Sequence, residues 1–214
     1  MTQLIDISPP LSERTAVWPG DIPFSRSVQL DMHQGANLTL SSLTSTVHVG
    51  AHADAPSHYQ EGGAAIDEVA LEPYLGPCTV LTCEAPEGGL IRPADCAPAL
   101  RRGAQRVLFR TLSQPDPGSF PAGFVAFSPE AIACLGAGGV LLVGIDTASV
   151  DPFDSKALPA HNELLRWSIR NLEGLSLAHV ADGDYELIAL PLKLVGFDAS
   201  PVRAVLRRLG SSPA

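Results

Sequence analysis

Three histidines and one aspartate lie close together between residues 47 and 59, a stretch that reads VHVGAHADAPSHY. The four residues, His48, His52, Asp54 and His58, all occupy even positions. An extended backbone would place their side chains on one face, because successive side chains of a strand alternate. Imidazole nitrogens and a carboxylate oxygen that converge in this way predict a divalent metal site, with zinc as the first choice and manganese as the second.

A helical conformation fits this stretch poorly, because Gly50 and Pro56 both oppose a helix and Asp54 would turn to another face. The odd positions carry small or apolar side chains that could face a core: Val47, Val49, Ala51, Ala53 and Ala55. A strand with a merely polar, solvated face is the alternative. Three histidines on one face within eleven residues favour the metal site.

The first three polar residues would leave an open coordination position, which is typical of catalytic zinc. His58 would lie roughly 13 Å from Asp54 in a fully extended chain, unless Pro56 bends the backbone. We therefore predict that His58 is an acid–base group beside the metal rather than a fourth ligand, since imidazole exchanges protons near neutral pH. An exposed loop histidine is the other interpretation.

The elements that must position these residues follow from the pattern of apolar positions. Two alternating segments, 27–32 and 36–48, predict antiparallel strands that lead into the histidine-rich stretch. Further strands are predicted at 4–7, 78–83, 106–110, 140–145, 169–172 and 185–190, and helices at 94–102, 128–136 and 160–167. Residues 113–123 read as a surface loop, and 201–208 as a strand or a helix. The predicted fold is α/β, one domain over residues 1–214, with a mixed, largely antiparallel sheet and flanking helices that is not doubly wound.

Charge and composition exclude several classes of protein. The net charge is −9 with only two lysines, which argues against nucleic-acid or anionic-membrane partners. No apolar run approaches the length of a membrane span, and the first eleven residues lack the pattern of a signal peptide. The four cysteines form no C-x-x-C pair. We therefore expect a cytoplasmic protein with reduced thiols.

Trp18 lies in a turn-forming loop, Trp18-Pro19-Gly20-Asp21. Its side chain either packs against its own loop or forms the wall of a pocket. The sequence by itself favours packing within the loop.

The motif H-V-G-A-H-A-D-A-P-S-H resembles the H-x-G-x-H-x-D-x-P-x-H signature of the metal-dependent cyclase/arylformamidase superfamily. Within it, the chain looks most like the bacterial kynurenine formamidases, from Ile5 to Arg208. The Trp-Pro-Gly-Asp loop and the segment GDYELIALPL at 183–192 share in this resemblance, and Ala51 replaces a threonine common in other branches.

The resemblance implies a swivelling β/α/β fold, a homodimer and two zinc ions per subunit. His48, His52 and Asp54 would hold the first ion, and Asp54 would bridge to a second ion completed by His161 and Glu173. His58 would transfer protons, and Trp18 would contact the substrate. The other two histidines, His33 and His179, have no implied role.

The implied reaction is hydrolysis of N-formyl-L-kynurenine to L-kynurenine and formate in tryptophan breakdown. A metal can polarise the unreactive formamide carbonyl and acidify water, and the leaving aryl amine must be protonated. The chain has no G-x-S-x-G motif of the serine-hydrolase route to the same products.

Three other interpretations stay open at the level of sequence. The chain could hydrolyse another aryl or cyclic amide, as isatin hydrolases do, or be a cyclase. It could bind metal without catalysis. It could also hold a single ion, with His161 and Glu173 in structural roles.

Overall fold

A computed structural model describes residues 4–113, 116 and 118–209. Residues 114, 115 and 117 of the predicted surface loop lie outside the described residues, as do both termini of the predicted 1–214 domain.

The described chain is a single α/β domain whose elements match most of the predicted ones within a few residues. The strands are β1 (Leu4–Asp6), β2 (Ser25–Leu30), β3 (Leu40–Thr44), β4 (His52–Asp54), β5 (Leu75–Thr82), β6 (Leu90–Ile91), β7 (Arg106–Arg110), β8 (Ala126–Phe127), β9 (Leu142–Ile145), β10 (Arg170–Glu173), β11 (Gly183–Ile188), β12 (Ala199–Pro201) and β13 (Val205–Arg208). The helices are α1 (Pro93–Arg101), α2 (Pro129–Ala137) and α3 (Pro159–Trp167), and 3-10 turns cover Met32–Gln34, Pro56–His58 and Glu72–Tyr74. The ambiguous segment 201–208 is extended.

Nine strands form one mixed sheet in the order β1-β13-β11-β5-β7-β9-β10-β4-β12. The central pairs β5–β7, β7–β9 and β9–β10 are parallel, whereas the other five pairs are antiparallel. The predicted mixed, largely antiparallel sheet is therefore confirmed.

The three helices pack against one face of this sheet. Val107 and Phe109 of β7 share a core with Ala131 and Leu135 of α2, whereas Leu108 faces a second core on the other side. The second core is closed by loop and strand-edge segments rather than by α-helices. Because α-helices cover only one face within the described chain, the sheet is not doubly wound.

Local signals explain where α2 starts. The Ser128 hydroxyl accepts a hydrogen bond from the Ala131 amide at 3.2 Å, and Pro129 occupies the first helical position. A serine cap satisfies one of the amides that a helix leaves unpaired at its start, and proline has no amide to leave unpaired. The predicted start at Ser128 is confirmed.

Strands β2 and β3 form a separate two-stranded hairpin that does not join the main sheet. Every strand residue of the hairpin is exposed, including Val28, Leu30, Leu40 and Leu43. An isolated two-stranded hairpin is marginally stable in water, so its apolar side chains favour a covering surface.

Two observations bear on the expected reduced thiols and on the expected lack of a membrane span. All four cysteines are free, and Cys78, Cys83 and Cys96 are buried. No helix in the described chain is long and apolar enough to cross a membrane.

Candidate metal centre

The histidine-rich stretch is not a continuous strand, so the predicted extended geometry from 47 to 59 is wrong. Only His52–Asp54 forms a strand. Gly50 turns the chain with a φ of 58°, and Pro56 begins a 3-10 turn that ends at His58. Of the five odd-numbered side chains predicted to face the core, Val49, Ala51, Ala53 and Ala55 are buried, whereas Val47 is only half-buried.

The bent stretch still brings its polar side chains to one place. His48 Nδ1 lies 3.1 Å from Asp54 Oδ1, and His52 Nε2 lies 3.5 Å from the same oxygen. Possible ligand atoms of His48, Asp54 and His58 lie within 4.8 Å of one another, and so do those of His52, Asp54 and Glu173. His58 therefore lies within reach of the cluster.

Strand pairing brings the distant residues into this cluster. In the antiparallel pair β4–β10, Glu173 lies opposite His52 and Leu172 lies opposite Ala53. His161, in the first turn of α3, points Nε2 to 3.5 Å from Asp54 Oδ2 and 3.6 Å from Glu173 Oε1. All five residues predicted as metal ligands thus lie in one cluster joined by short contacts: His48, His52, Asp54, His161 and Glu173.

Several unpaired atoms in this cluster suit a metal ion. His52 Nε2, Asp54 Oδ1 and His161 Nε2 are buried and have no hydrogen-bond partner. Buried polar atoms are normally paired, and an unpaired one costs free energy. The donor set of imidazole nitrogens and carboxylate oxygens is one that zinc and manganese accept.

The opposite edges of the imidazoles are held by acceptors. His52 Nδ1 donates to the Gly50 carbonyl at 2.9 Å, and His161 Nδ1 donates to Asp151 Oδ2 at 2.7 Å. These hydrogen bonds fix the ring orientation and leave each Nε2 without a proton in the neutral tautomer, the form in which imidazole ligates a metal.

Asn171 holds the two carboxylates from beneath. Its amide nitrogen donates to Asp54 Oδ2 at 2.6 Å and to Glu173 Oε1 at 3.1 Å, and the residue is fully buried. Asn171 and Glu173 lie two residues apart on β10, so their side chains share a face.

The electrostatics of the cluster are those of a buried set of opposite charges. Burial lowers the pKa of His161, but Asp151, Asp54 and Glu173 outweigh it and raise the pKa to about 10. Burial likewise opposes the charged form of His48, yet Asp54 and Asp198 raise its pKa to about 9. Burial would raise the pKa of Asp54, but the imidazoles around it hold that pKa well below its usual range.

Asp198 contacts two histidines of the histidine-rich stretch. Its Oδ2 accepts hydrogen bonds from His48 Nε2 at 3.0 Å and from His58 Nδ1 at 3.3 Å. Burial opposes ionisation of Asp198, but the hydrogen bond from His48 and the nearby imidazoles lower its pKa.

A cavity of about 730 Å³ opens beside the cluster. His48, His52, His58, His161 and Glu173 line one end, and Trp18 lines the cavity as well.

Of the two interpretations of Trp18, the structure supports the pocket wall, because its aromatic ring partners lie outside its own loop. Its ring packs against Phe120 and Phe153, at centroid distances of 5.2 and 5.1 Å, and also faces the cavity. The aromatic cluster makes Trp18 a fixed part of the cavity wall.

Asp146 supports another part of the wall. Its carboxylate accepts hydrogen bonds from the Thr111 hydroxyl at 2.6 Å and from the Leu112 amide at 3.0 Å. Leu112 adopts a left-handed conformation with a φ of 59°, which is strained for a leucine, and lines the cavity.

Sequence reasoning missed Asp151, Asn171 and Asp198. Asn171 could have been found from the sequence, because it lies two residues before Glu173 in a predicted strand and its side chain therefore shares the same face. Nothing in the local sequence marks Asp151 or Asp198. His33 and His179 are not among the residues that line this cavity.

Comparisons with known proteins agree with this centre. The chain is 50% identical over 204 residues to the kynurenine formamidase of Polaromonas naphthalenivorans (strain CJ2), covering 95% of this chain and 90% of that protein. It also resembles the solved structure of a potential metal-dependent hydrolase with cyclase activity, with a TM-score of 0.82 and 28% identity, over 99% of this chain and 100% of the other. Isatin hydrolase A from Labrenzia aggregata shares the fold, with a TM-score of 0.82 and 23% identity over 97% and 94% of the two chains.

The fold and the donor cluster define an enzyme of the metal-dependent hydrolase class. Residues 5–152 match the Cyclase family model. The chain belongs to the Cyclase family.

The close approach of Gly174 to the Gly50 backbone makes this position sensitive to any side chain. A Cβ at Gly174 would lie 2.1 Å from the Gly50 carbonyl oxygen, whereas Gly103 has the same φ of 64° and nothing within 4 Å. We expect Gly103→Ala to cost about 1–2 kcal/mol of unfolding free energy from the left-handed backbone alone. Gly174→Ala adds the clash and should cost at least about 3 kcal/mol, measured by chemical denaturation. Equal losses in the two variants would contradict the close approach.

Proposed function

We propose that this chain is a metal-dependent amidohydrolase that converts N-formyl-L-kynurenine and water into L-kynurenine and formate, a step of tryptophan degradation by the kynurenine pathway. The observation that carries the proposal is the cluster of buried, unpaired imidazole and carboxylate atoms at the end of the cavity. The 50% identity to a kynurenine formamidase over most of both chains supports the choice of substrate.

We assign two zinc ions per subunit to this cluster, with manganese as the alternative. His48, His52 and Asp54 would hold one ion, and His161 and Glu173, with Asp54 between them, would hold the other. When bound, such ions polarise a carbonyl group and lower the pKa of water. The short distances among the five donors support a shared centre.

His58 is the proposed proton carrier. One water and one formamide yield one amine and one formic acid, which ionises to formate. As the water oxygen adds to the formyl carbon, His58 would take a proton from the water, and it would return that proton to the aryl amine nitrogen when the C–N bond breaks. Its position on the cavity wall, with a side chain about one-third exposed, supports access to the substrate.

Trp18 is the proposed contact for the aryl ring of the substrate. Aromatic rings pack in stacked or edge-to-face arrangements, and a ring already fixed by Phe120 and Phe153 loses little conformational freedom on binding. The formyl group is small, so the reacting end of the cavity needs little room.

We further propose that the chain, taken as one domain over residues 1–214, acts as a homodimer in the cytoplasm. The exposed apolar hairpin β2–β3 is the proposed dimer surface. Free cysteines are typical of a reducing compartment.

The direct test is an assay of zinc-loaded protein with N-formyl-L-kynurenine, following L-kynurenine by absorbance and counting metal ions per chain. We expect turnover that a chelator abolishes and that zinc restores, with two ions per chain. Manganese is tested in parallel. Protein that carries metal but does not turn over this substrate would contradict the proposed substrate, and isatin and other aryl amides would then be assayed.

His58→Ala separates a proton carrier from a ligand. We expect it to keep both ions and to lose about 10²- to 10⁴-fold in kcat, the usual contribution of general acid–base catalysis. His33→Ala, which removes an exposed histidine away from the cavity, is the control. Loss of one ion together with activity would instead make His58 a ligand.

Leu43→Glu tests the dimer surface, because Leu43 is 67% exposed in the hairpin. We expect the unchanged protein to sediment as a dimer and Leu43→Glu to shift it toward monomer, since a charge would have to be buried at the interface. Ser42→Glu on the opposite face of the hairpin is the comparison. A monomeric unchanged protein would refute the proposal.

A further inference from the structure

Asp198 is fixed beside the centre by the edge of the sheet. It immediately precedes β12, whose residue Ala199 pairs with Asp54 of β4. The Asp198 carbonyl also accepts a hydrogen bond from the Ala55 amide at 2.8 Å. Because Ala55 comes just before the turn that ends at His58, the backbone sets the Asp198 carboxylate at a defined place relative to that histidine.

A single oxygen of this carboxylate serves two imidazoles. Oδ2 lies 3.0 Å from His48 Nε2 and 3.3 Å from His58 Nδ1. The two rings are neighbours, with centroids 4.2 Å apart. An ionised carboxylate can only accept hydrogen bonds, so each of these nitrogens carries a proton.

This arrangement decides which nitrogen of each ring is left to act. A neutral imidazole has one protonated and one basic nitrogen. With Nδ1 of His58 bonded to Asp198, the basic nitrogen is Nε2. With Nε2 of His48 bonded to the same oxygen, the nitrogen left to bind a metal, on loss of its own proton, is Nδ1, which faces Asp54 Oδ1 at 3.1 Å.

We propose that Asp198 is a positioning residue that holds His58 in the Nδ1–H tautomer and, through the same oxygen, turns Nδ1 of His48 toward Asp54. One carboxylate would thus couple the orientation of a metal ligand to that of the proton carrier. The catalytic part of this inference rests on the proposed function, whereas the tautomer itself does not.

No other carboxylate in the described chain forms an ion pair with His58. Asp54 offers a carboxylate oxygen within 4.8 Å of a ring nitrogen of His58, and the rings of His48, Tyr59 and His161 lie around it at 4.2, 6.3 and 6.0 Å between centroids. Removal of Asp198 would therefore remove the carboxylate that pairs with Nδ1 of His58.

The test compares Asp198→Ala with Asp198→Asn. Asparagine keeps one acceptor oxygen, which suffices because both histidines bind the same oxygen, but it removes the negative charge. Asp67→Ala is the matched control, because the Asp67 carboxylate accepts a hydrogen bond from Gly196 and so ties down the same segment without contacting a histidine.

The first measurement is the tautomer of His58, from long-range proton–nitrogen NMR spectra of ¹⁵N-histidine-labelled, metal-free protein in mildly alkaline solution. The His58 signals are assigned by their loss in His58→Gln. We expect the Nδ1–H form in the unchanged protein, in Asp198→Asn and in Asp67→Ala, and the Nε2–H form in Asp198→Ala. Retention of the Nδ1–H form in Asp198→Ala would overturn the proposal.

The second measurement is turnover of N-formyl-L-kynurenine by the zinc-loaded proteins. We expect kcat of Asp198→Ala to fall about 10- to 100-fold, less than complete loss of an acid–base group, with KM changed no more than about threefold. Asp198→Asn should lie between Asp198→Ala and the unchanged protein. An equal fall of kcat in Asp67→Ala would make Asp198 merely structural and refute the proposal.

The two proposals fail in different ways. If Asp198→Ala changes the tautomer but no protein, including the unchanged one, turns over N-formyl-L-kynurenine, the positioning role is supported. The proposed substrate is then contradicted. If Asp198→Ala does not fold, Asp198→Ser replaces it, because serine is too short to reach His58 from the same backbone position, and the same outcomes apply.

Discussion

The structure depends on two buried carboxylates, Asp54 and Glu173. They lie beside the buried imidazoles of His52 and His161. Each of the four residues is at most 3% exposed. Buried charge is costly unless opposite charge and hydrogen bonds compensate it. The raised pKa of His161 and the lowered pKa of Asp54 express the same compensation from its two sides. A divalent cation would supply this compensating positive charge more fully, so this part of the sheet is suited to binding metal.

The sheet order supplies the geometry that this compensation needs. The short strand β4 lies between β10 and β12, both antiparallel to it, so residues far apart in sequence meet across one strand. Glu173 and Asn171 come from one side and Asp198 from the other. The parallel centre of the sheet and its helices lie behind β10 and serve as a rigid support. The cavity, with Trp18 in its wall, opens beside the centre.

Sequence reasoning chose residues that the structure brings together, but it relied on a geometry that is partly wrong. The even spacing of His48, His52 and Asp54 suggested one extended strand, but the chain turns at Gly50, where the carbonyl packs against Gly174. A contact between residues so far apart leaves no local signal. His161 and Glu173 followed only from the resemblance to a family, because each is unremarkable in its own segment. Periodicity and capping predicted most strands and helices, since those patterns are local, but could not decide the last segment.

The five donor residues are dispersed along the chain, from position 48 to position 173. An ion held by His52 and Glu173 would therefore join segments separated by more than half of the chain, much as a disulfide does. The unfolded chain holds these donors apart, so an ion that binds the folded state alone would add its binding free energy to the stability of the fold. Metal supply would thus affect the stability of the folded protein as well as its activity.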